Sequence, residues 1–325
     1  MDAMNLRLGI DIGGTNICAG ILNAEYSIIE RHSISIKGAG SEKEVLDAIR
    51  RCAWEIFDNA EKAGVNPRDI VSVGIGCPGA VDEAGRVVKS AANLPFRDTF
   101  LGDVLKPELG APVYLSNDAN TAALGEAVLG AGRGSESFVM ITLGTGVGGG
   151  IVIDGRIHSG FNGYAGEIGH IIIDMHGRMC RCGQRGCLEA YASANALIRD
   201  TKEAMEGDRA SLMWELAGTP DNVDGKTAFD AKRRGDKTAI KVIEAYSRGL
   251  SCGITSIIRI LQPEVISIGG GLGREGEYLI DPVRTMVYEN LRPERTPMIT
   301  RLCIAELGTD AGVIGAGMLE RGTRL

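Results

Sequence analysis

Two glycine-rich segments, each directly after a β-rich run, constrain the fold of this chain most. The first covers residues 11–16 after the run 6–12, and the second covers 143–150 after the run 138–143. Glycine at a strand end lets the backbone approach a ligand closely and adopt positive φ, and exposed N–H groups in such turns form anion-binding nests. A tight hairpin without a ligand explains either segment alone. Two similar segments in similar contexts favour a pair of phosphate-binding turns and an internal duplication.

Hydrophobic periodicity places these turns in an α/β chain. Apolar spacing predicts helices over 42–63, from 118 to about 130, over 237–261 and over 310–320. Short apolar runs predict strands at 6–12, 17–22, 28–36, 70–76, 112–116, 138–143, 151–154 and 264–268. Strands that alternate with helices indicate an α/β fold. The repeat of the glycine hairpin suggests a break between two halves near residue 118.

Two better-known nucleotide motifs do not account for the glycines. The pattern Gly-x-Gly-x-x-Gly occurs at 144–149 and at 74–79, but neither match opens a predicted helix. The dinucleotide fingerprint needs a helix N-terminus at the pyrophosphate, so both matches fail on context. Residues 225–227 resemble the end of a P-loop, but Pro220 stands where that loop needs its first glycine. Phosphates must then be held by the hairpins.

Composition argues against several classes of protein. The 42 acidic and 35 basic residues give a net charge of −7, whereas a large nucleic-acid footprint needs clustered Lys and Arg. The hydrophobic share of 44% is that of an ordinary globular chain. No apolar run approaches the ~18 residues of a membrane span, and the polar start lacks a basic region followed by an apolar one. We therefore expect a cytoplasmic protein with no nucleic-acid or membrane partner.

Three of the eight cysteines, Cys180, Cys182 and Cys187, fall within eight residues. Disulfides are not expected in a chain without a leader, so this spacing favours a metal site over free thiols in a loop. Three thiolates and one imidazole make a closed tetrahedral zinc site, which is structural because no position is left for water. The candidate fourth ligands are His158, His170 and His176.

Asn117 and Asp118 follow a predicted strand and open a predicted helix. Either side chain can serve as the helix N-cap. Spacing alone therefore favours a capping role for Asp118 over a catalytic one.

The motifs taken together resemble those of the ROK family, over about residues 6 to 320. The matching segments are 11–16, Cys77-Pro78-Gly79, 116–120, 143–150, 166–170 and 180–189. The resemblance implies the actin-like ATPase (ribonuclease H-like) fold, with two α/β lobes and a central cleft. The implied lobes are 1–118 plus 309–325, and 119–308, the larger lobe carrying a zinc-binding loop at 170–187.

The resemblance also implies roles for residues in nucleotide binding. Residues implied to hold the ATP phosphates are Gly13, Gly14, Thr15, Asn16, Gly144, Thr145 and Gly146. Gly270 and Gly271 are implied to lie near the adenosine. Asp11 is implied to bind ATP and to act on Mg²⁺ through water, because Mg²⁺ loses its waters reluctantly.

Further implied roles concern the sugar and the zinc. Asp118 is implied to be the general base, which accepts the proton of a sugar hydroxyl as it attacks the γ-phosphate. The implied sugar contacts are Gly79, Asn93, Asn117, Asp118, Glu167, His170 and Glu189. From the residues alone, the alternative explanation of Glu167 and Glu189 is a surface or helix-capping acid. The Gly-His match at 169–170 implies that His170 joins the three cysteines as the fourth zinc ligand.

The activity implied is ATP-dependent phosphorylation of a hexose, glucose first, at the 6-hydroxyl. Alternative substrates are N-acetylmannosamine, fructose, allose and mannose. The family also contains sugar-responsive regulators with an N-terminal helix-turn-helix, and we expect none here because the first glycine hairpin begins so early. A sugar-binding protein without turnover is disfavoured, because Asp118 and both hairpins are intact. The resemblance further implies a homo-oligomer, at least a dimer.

Overall fold

The chain is a mixture of helices and strands in the computed structural model, which describes residues 5–82, 84–91, 94–292, 294 and 299–322. The strands are β1 Leu6–Ile12, β2 Asn16–Leu22, β3 Ile28–Ser35, β4 Ile70–Cys77, β5 Ala80–Val81, β6 Val88–Ser90, β7 Arg97–Thr99, β8 Val113–Asn117, β9 Ser137–Leu143, β10 Val147–Ile153, β11 Arg156–Ile157, β12 Val265–Gly269 and β13 Arg301–Ile304. The helices are α1 Glu42–Lys62, α2 Leu101–Leu109, α3 Asp118–Val128, α4 Glu189–Ala192, α5 Ala194–Gly207, α6 Leu212–Ala217, α7 Thr227–Arg233, α8 Lys237–Leu261, α9 Glu277–Leu291, α10 Ala311–Gly317 and α11 Leu319–Gly322. Most elements predicted from periodicity are confirmed with small shifts at their ends, and α8 matches its predicted range. Two differ more: β10 begins at Val147, inside the predicted turn 143–150, and the predicted helix 310–320 is divided into α10 and α11.

The chain divides into two compact units. Unit 1 comprises Met1–Phe138, Gly150–Gly166 and Glu306–Leu325, and unit 2 comprises Val139–Gly149 and Glu167–Ala305. The lobes predicted from the sequence differ from these units mainly in two places. The prediction puts nearly all of α3 and residues 150–166 in the second lobe, whereas they belong to unit 1. The predicted lobe boundaries therefore stay a prediction. None of the described helices is both long and apolar enough to cross a membrane.

Two five-stranded sheets share one topology. Their strand orders are β3-β2-β1-β4-β8 and β11-β10-β9-β12-β13, and a small third sheet has the order β5-β6-β7. In the first sheet β1, β2 and β3 form an antiparallel meander, and β4 and β8 continue it in parallel to β1. Each large sheet thus places a glycine hairpin between its first two strands in sequence. This repetition confirms the predicted duplication.

Unit 1 packs helices closely on its sheet where glycines remove side chains. A Cβ on Gly9 or Gly74 would overlap the backbone of α10, so this helix lies directly on β1 and β4. Gly125 of α3 and Gly315 of α10 make the same close approach to each other's helix. Helix α10 packs against both the sheet and α3. This packing fixes the position of α3, whose N-terminus follows the edge strand β8.

Glu126 is a fully buried carboxylate at the C-terminal part of α3. Its two oxygens accept hydrogen bonds from the backbone N–H groups of Ala131, Glu306 and Leu307, at 2.9, 3.0 and 2.6 Å. A buried charge is tolerated only when such donors satisfy it. Glu126 therefore fixes the segment that leads into α10 against α3.

We expect Glu126→Ala to lower the free energy of unfolding by about 3 kcal/mol, because one buried and two partly buried backbone N–H groups lose their acceptor. Urea denaturation followed by circular dichroism measures the loss. Glu61→Ala, at an exposed position of α1, is the matched control and should change stability by less than about 0.5 kcal/mol. Equal stability of the two variants would contradict this role.

Candidate functional site

The first glycine hairpin closes through its own backbone. Gly13 N–H donates to the carbonyl of Asn16 at 2.8 Å, which makes a narrow turn between β1 and β2. Gly14, Thr15 and Asn16 are exposed. The turn therefore presents backbone to solvent, as a phosphate-binding turn requires.

Asp118 is the first residue of α3, and the capping role falls to its neighbour. The Asn117 side chain accepts hydrogen bonds from the N–H groups of Ala119 and Asn120, at 2.9 and 3.2 Å. Its amide also donates to the carbonyl of Gly79 at 3.0 Å, which joins two predicted sugar contacts. The Asp118 carboxylate accepts from Ala119 N–H at 2.9 Å. Since Asn117 already caps the helix, the helix does not depend on Asp118 as its cap.

Asp11 is the second-last residue of β1 and interacts electrostatically with Asp118. Its half-buried carboxylate lies in the space that a side chain on Gly312 would fill. Burial, followed by the negative charge of Asp118, raises the pKa of Asp11 to about 7. A divalent cation would offset the repulsion between the carboxylates of Asp11 and Asp118. Oxygen atoms, including those of carboxylates, are the ligands that Mg²⁺ prefers. The donor chemistry at Asp11 therefore fits magnesium.

A cleft of about 1280 Å³ in unit 1 is lined by Asn117 and Asn120 at the start of α3, and by residues 153–161 on the other side. Asn120 is 5% exposed, and its Oδ1 has no hydrogen-bond partner among the described residues. Asn120 has no predicted role, although it ends the segment 116–120 that resembles the family. An unsatisfied buried amide that lines a cleft is a candidate ligand contact.

The second glycine hairpin, in unit 2, repeats the closure of the first. Gly144 N–H donates to the carbonyl of Gly146 at 3.0 Å, and Ala194 N–H donates to the carbonyl of Gly144 at 2.8 Å. A Cβ on Gly144 would meet nothing within 4 Å, so this side of the turn is open. Gly270 has a φ of 80° and lies against the backbone of Leu143. Unit 2 thus places Gly270, which is predicted to lie near the adenosine, at the base of the turn that is predicted to bind phosphate.

Glu189 begins α4 but does not cap it. Its Oε2 accepts a hydrogen bond from Val147 N–H at 3.0 Å, at the end of the glycine turn. A Cβ on Gly146 would overlap the same oxygen. The alternatives of a surface acid or a helix cap therefore do not describe Glu189, which lies against the turn.

His170, Cys180, Cys182 and Cys187 place their ligand atoms within 4.8 Å of one another. His170 Nδ1 lies 3.9 Å from Cys180 Sγ, and the sulfurs of Cys182 and Cys187 are 3.6 Å apart. Tetrahedral zinc with bonds of 2.0–2.3 Å separates its ligands by about 3.5–3.8 Å. The cluster is therefore compatible with a structural zinc. His170 Nε2 points away from it, 3.9 Å from the Glu167 carboxylate.

An anchor that the sequence analysis missed holds the cysteine loop. The backbone N–H of Arg178 donates to the Tyr191 hydroxyl at 2.8 Å. The Arg178 guanidinium contacts both carboxylate oxygens of Asp200 at 2.6 and 2.8 Å, and stacks over the Tyr191 ring at 5.4 Å. These contacts tie the loop to α4 and α5. No local pattern signals them, because the three residues are separated along the chain.

The predicted site residues fall into two groups. Unit 1 brings together Asp11 and Asp118 and, through one hydrogen bond, Asn117 and Gly79. Unit 2 brings together Glu167, His170, Glu189, the cysteines and the turn 144–146. Asn93, a predicted sugar contact, lies outside the described residues.

Comparisons with known proteins agree with this architecture. The ROK family model matches residues 7–322. The glucokinase of Thermotoga maritima is 36% identical over 313 residues, which cover 96% of this chain and 96% of that protein. A ROK family glucokinase from Streptomyces griseus, solved in complex with glucose and AMPPNP, is 34% identical with a TM-score of 0.83, covering 98% of this chain and 100% of that one. The xylose repressor of Caldicellulosiruptor bescii is more distant, 28% identical over 87% of this chain and 70% of its own length.

These likenesses extend over nearly the whole chain, and the mixed α/β architecture with its duplicated sheets agrees with them. The predicted fold class, an actin-like ATPase fold, is confirmed. The resemblance carried by the sequence motifs is confirmed as well, and the chain belongs to the ROK family.

Proposed function

We propose that this protein is a sugar kinase that transfers the γ-phosphoryl group of ATP to the 6-hydroxyl of glucose. The observation that carries the proposal is Asp118, which opens α3 beside Asp11 while Asn117 supplies the helix cap. The full-length likeness to glucokinases supports glucose as the substrate.

In the proposed reaction Asp118 is the general base. The 6-hydroxyl oxygen of the sugar attacks the γ-phosphorus, the bond from that phosphorus to the bridging oxygen breaks, and ADP leaves. The hydroxyl proton passes to the Asp118 carboxylate. Phosphoryl transfer has a loose transition state, so positioning and charge neutralisation matter more than a strong base.

The two glycine turns hold the nucleotide phosphates in this proposal. Their exposed backbone N–H groups donate to phosphate oxygens without the steric limit of a side chain. Asp11 would hold Mg²⁺ through water, and the ion when bound would neutralise charge on the phosphates. Gly270 and Gly271, next to the second turn, would lie along the adenosine.

Polar groups from Gly79, Asn93, Asn117, Glu167, His170 and Glu189 bind the sugar in this proposal. Zinc held by His170 Nδ1 and the three cysteines would fix the imidazole ring, leaving Nε2 for a sugar hydroxyl. The protein's assembly as at least a dimer and its cytoplasmic location remain predictions.

A panel of hexoses with ATP and Mg²⁺ tests the substrate. We expect glucose to give the highest kcat/KM, by at least about tenfold over N-acetylmannosamine, because rejecting an added acyl group of this size is worth more than about 1.4 kcal/mol. ADP release is measured by a coupled assay, with mannose, fructose and allose in the same panel.

6-Deoxyglucose is the control, since it lacks the attacking hydroxyl and should release no ADP. Faster turnover of another hexose would replace glucose as the substrate. No ADP release with any sugar would reject the kinase assignment and favour a regulator, as in the xylose repressor.

A further inference from the structure

Glu189 connects the metal-ligand cluster to the second glycine turn. One carboxylate oxygen, Oε2, accepts the Val147 N–H at 3.0 Å, and the other, Oε1, lies 3.6 Å from Cys180 Sγ. A single side chain thus contacts a predicted metal ligand and the backbone that ends the turn. The two contacts use different oxygens, so both are made at once.

A second attachment lies at the other end of the same short helix. Directly after α4, Ala194 N–H donates to the carbonyl of Gly144 at 2.8 Å. Ser193 caps α5 by accepting from Ala196 N–H at 3.0 Å, which fixes the backbone at that point. Glu189, the first residue of α4, and Ala194, the first residue of α5, therefore both hold the turn.

The turn itself supplies few restraints. Gly144 has open space on its Cβ side, and the bond from Gly144 N–H to the Gly146 carbonyl closes the loop internally. Glycine-rich backbone loses the most conformational entropy when it is ordered. The contacts from Glu189 of α4 and Ala194 of α5 therefore restrain the turn before a ligand binds.

We propose that Glu189 is a positioning residue through which metal occupancy of the His170–Cys187 cluster orders the glycine turn 144–146 and so raises its affinity for nucleotide. A metal that holds Cys180 as a thiolate fixes the loop beside Glu189, as groups around a metal site commonly fix one another. The thiolate no longer donates to Oε1, so the Val147 N–H remains the donor that holds the carboxylate. The fixed carboxylate keeps the Val147 N–H in place, and a turn ordered in advance binds phosphates at a lower entropic cost. This inference rests on the proposed nucleotide-binding role of the turn.

Amide hydrogen exchange of zinc-loaded protein tests the link without any turnover. In Glu189→Ala we expect Val147 N–H to exchange at least about tenfold faster, since it loses its acceptor. The affinity for AMPPNP without sugar should fall about fivefold or more, at the low end of coupling between sites. Glu189→Gln retains an acceptor oxygen and should restore most of the Val147 protection.

Zinc-depleted wild-type protein should show the same two changes as Glu189→Ala. Glu206→Ala is the matched control, because this glutamate lies at an exposed position of α5 in the same unit, outside the proposed site. Its Val147 exchange and its AMPPNP affinity should equal those of the wild type.

Unchanged Val147 exchange and unchanged AMPPNP affinity in either the Glu189→Ala protein or the zinc-depleted protein would overturn the inference. Circular dichroism checks that the zinc-depleted chain stays folded, and if it unfolds, the zinc-loaded Glu189→Ala protein decides. A different result would reject the proposed kinase function. Zinc-dependent AMPPNP affinity without phosphorylation of any sugar would reject the kinase activity and leave this coupling intact.

Discussion

Asp118→Asn should give a folded protein that binds glucose with near wild-type affinity and turns it over at least about 10²-fold more slowly, the low end for general acid–base catalysis. Asn is the same size as Asp but cannot accept the hydroxyl proton. The helix should survive, because Asn117 caps it. Single-turnover kinetics at saturating glucose and ATP measure the loss, and glucose affinity is measured by calorimetry.

Asp236→Asn is a matched control for that substitution. Asp236 also lies at the start of a helix, where its side chain accepts from the Ala239 N–H at 2.7 Å. Asn preserves that acceptor and is an equally good N-cap residue, so turnover should stay within about twofold of the wild type. Near-normal turnover in purified, folded Asp118→Asn protein would remove Asp118 from the role of base.

Cys180→Ala should abolish zinc binding and weaken glucose affinity by at least about tenfold, the range seen when groups that orient a metal site are lost. The physical reason is that His170 and Glu189 both contact Cys180, so loss of the metal releases two proposed sugar contacts. Atomic absorption should find about one zinc per chain in the wild type and almost none in the variant. Glucose affinity is followed by calorimetry in the same samples.

Cys252→Ala serves as the control, since this exposed cysteine of α8 lies outside the cluster. It should keep both zinc and glucose affinity. Chelator-treated wild-type protein, with zinc restored afterwards, separates metal loss from any packing defect at the buried Cys180. Full glucose affinity and activity in metal-free protein would refute the structural zinc.

The parts of the fold that follow local chemistry could be predicted from the sequence. Both hairpins, the range of α8 and the start of α3 depend on glycine placement, periodicity and capping, which act over a few residues. The grouping of Cys180, Cys182 and Cys187 is equally local. These features needed no tertiary information.

Contacts that depend on the direction of side chains between distant segments could not be predicted. Glu189 looked like a helix-capping acid, and its bond to Val147 across 42 residues of chain depends on how α4 meets β10. The unsatisfied Asn120 amide and the burial of Glu126 are of the same kind. Periodicity reports which face of an element is buried, and it does not report which polar group will meet another.

The close fit of α10 onto β1 and β4, through Gly9 and Gly74, has a consequence for biosynthesis. Residues 311–317 emerge from the ribosome after all of unit 2, yet they cover the sheet formed by the earliest segments. One apolar face of that sheet therefore stays uncovered until residues 311–317 have been synthesised. We expect nascent chains stalled before residue 311 to be the species most prone to aggregate or to recruit chaperones.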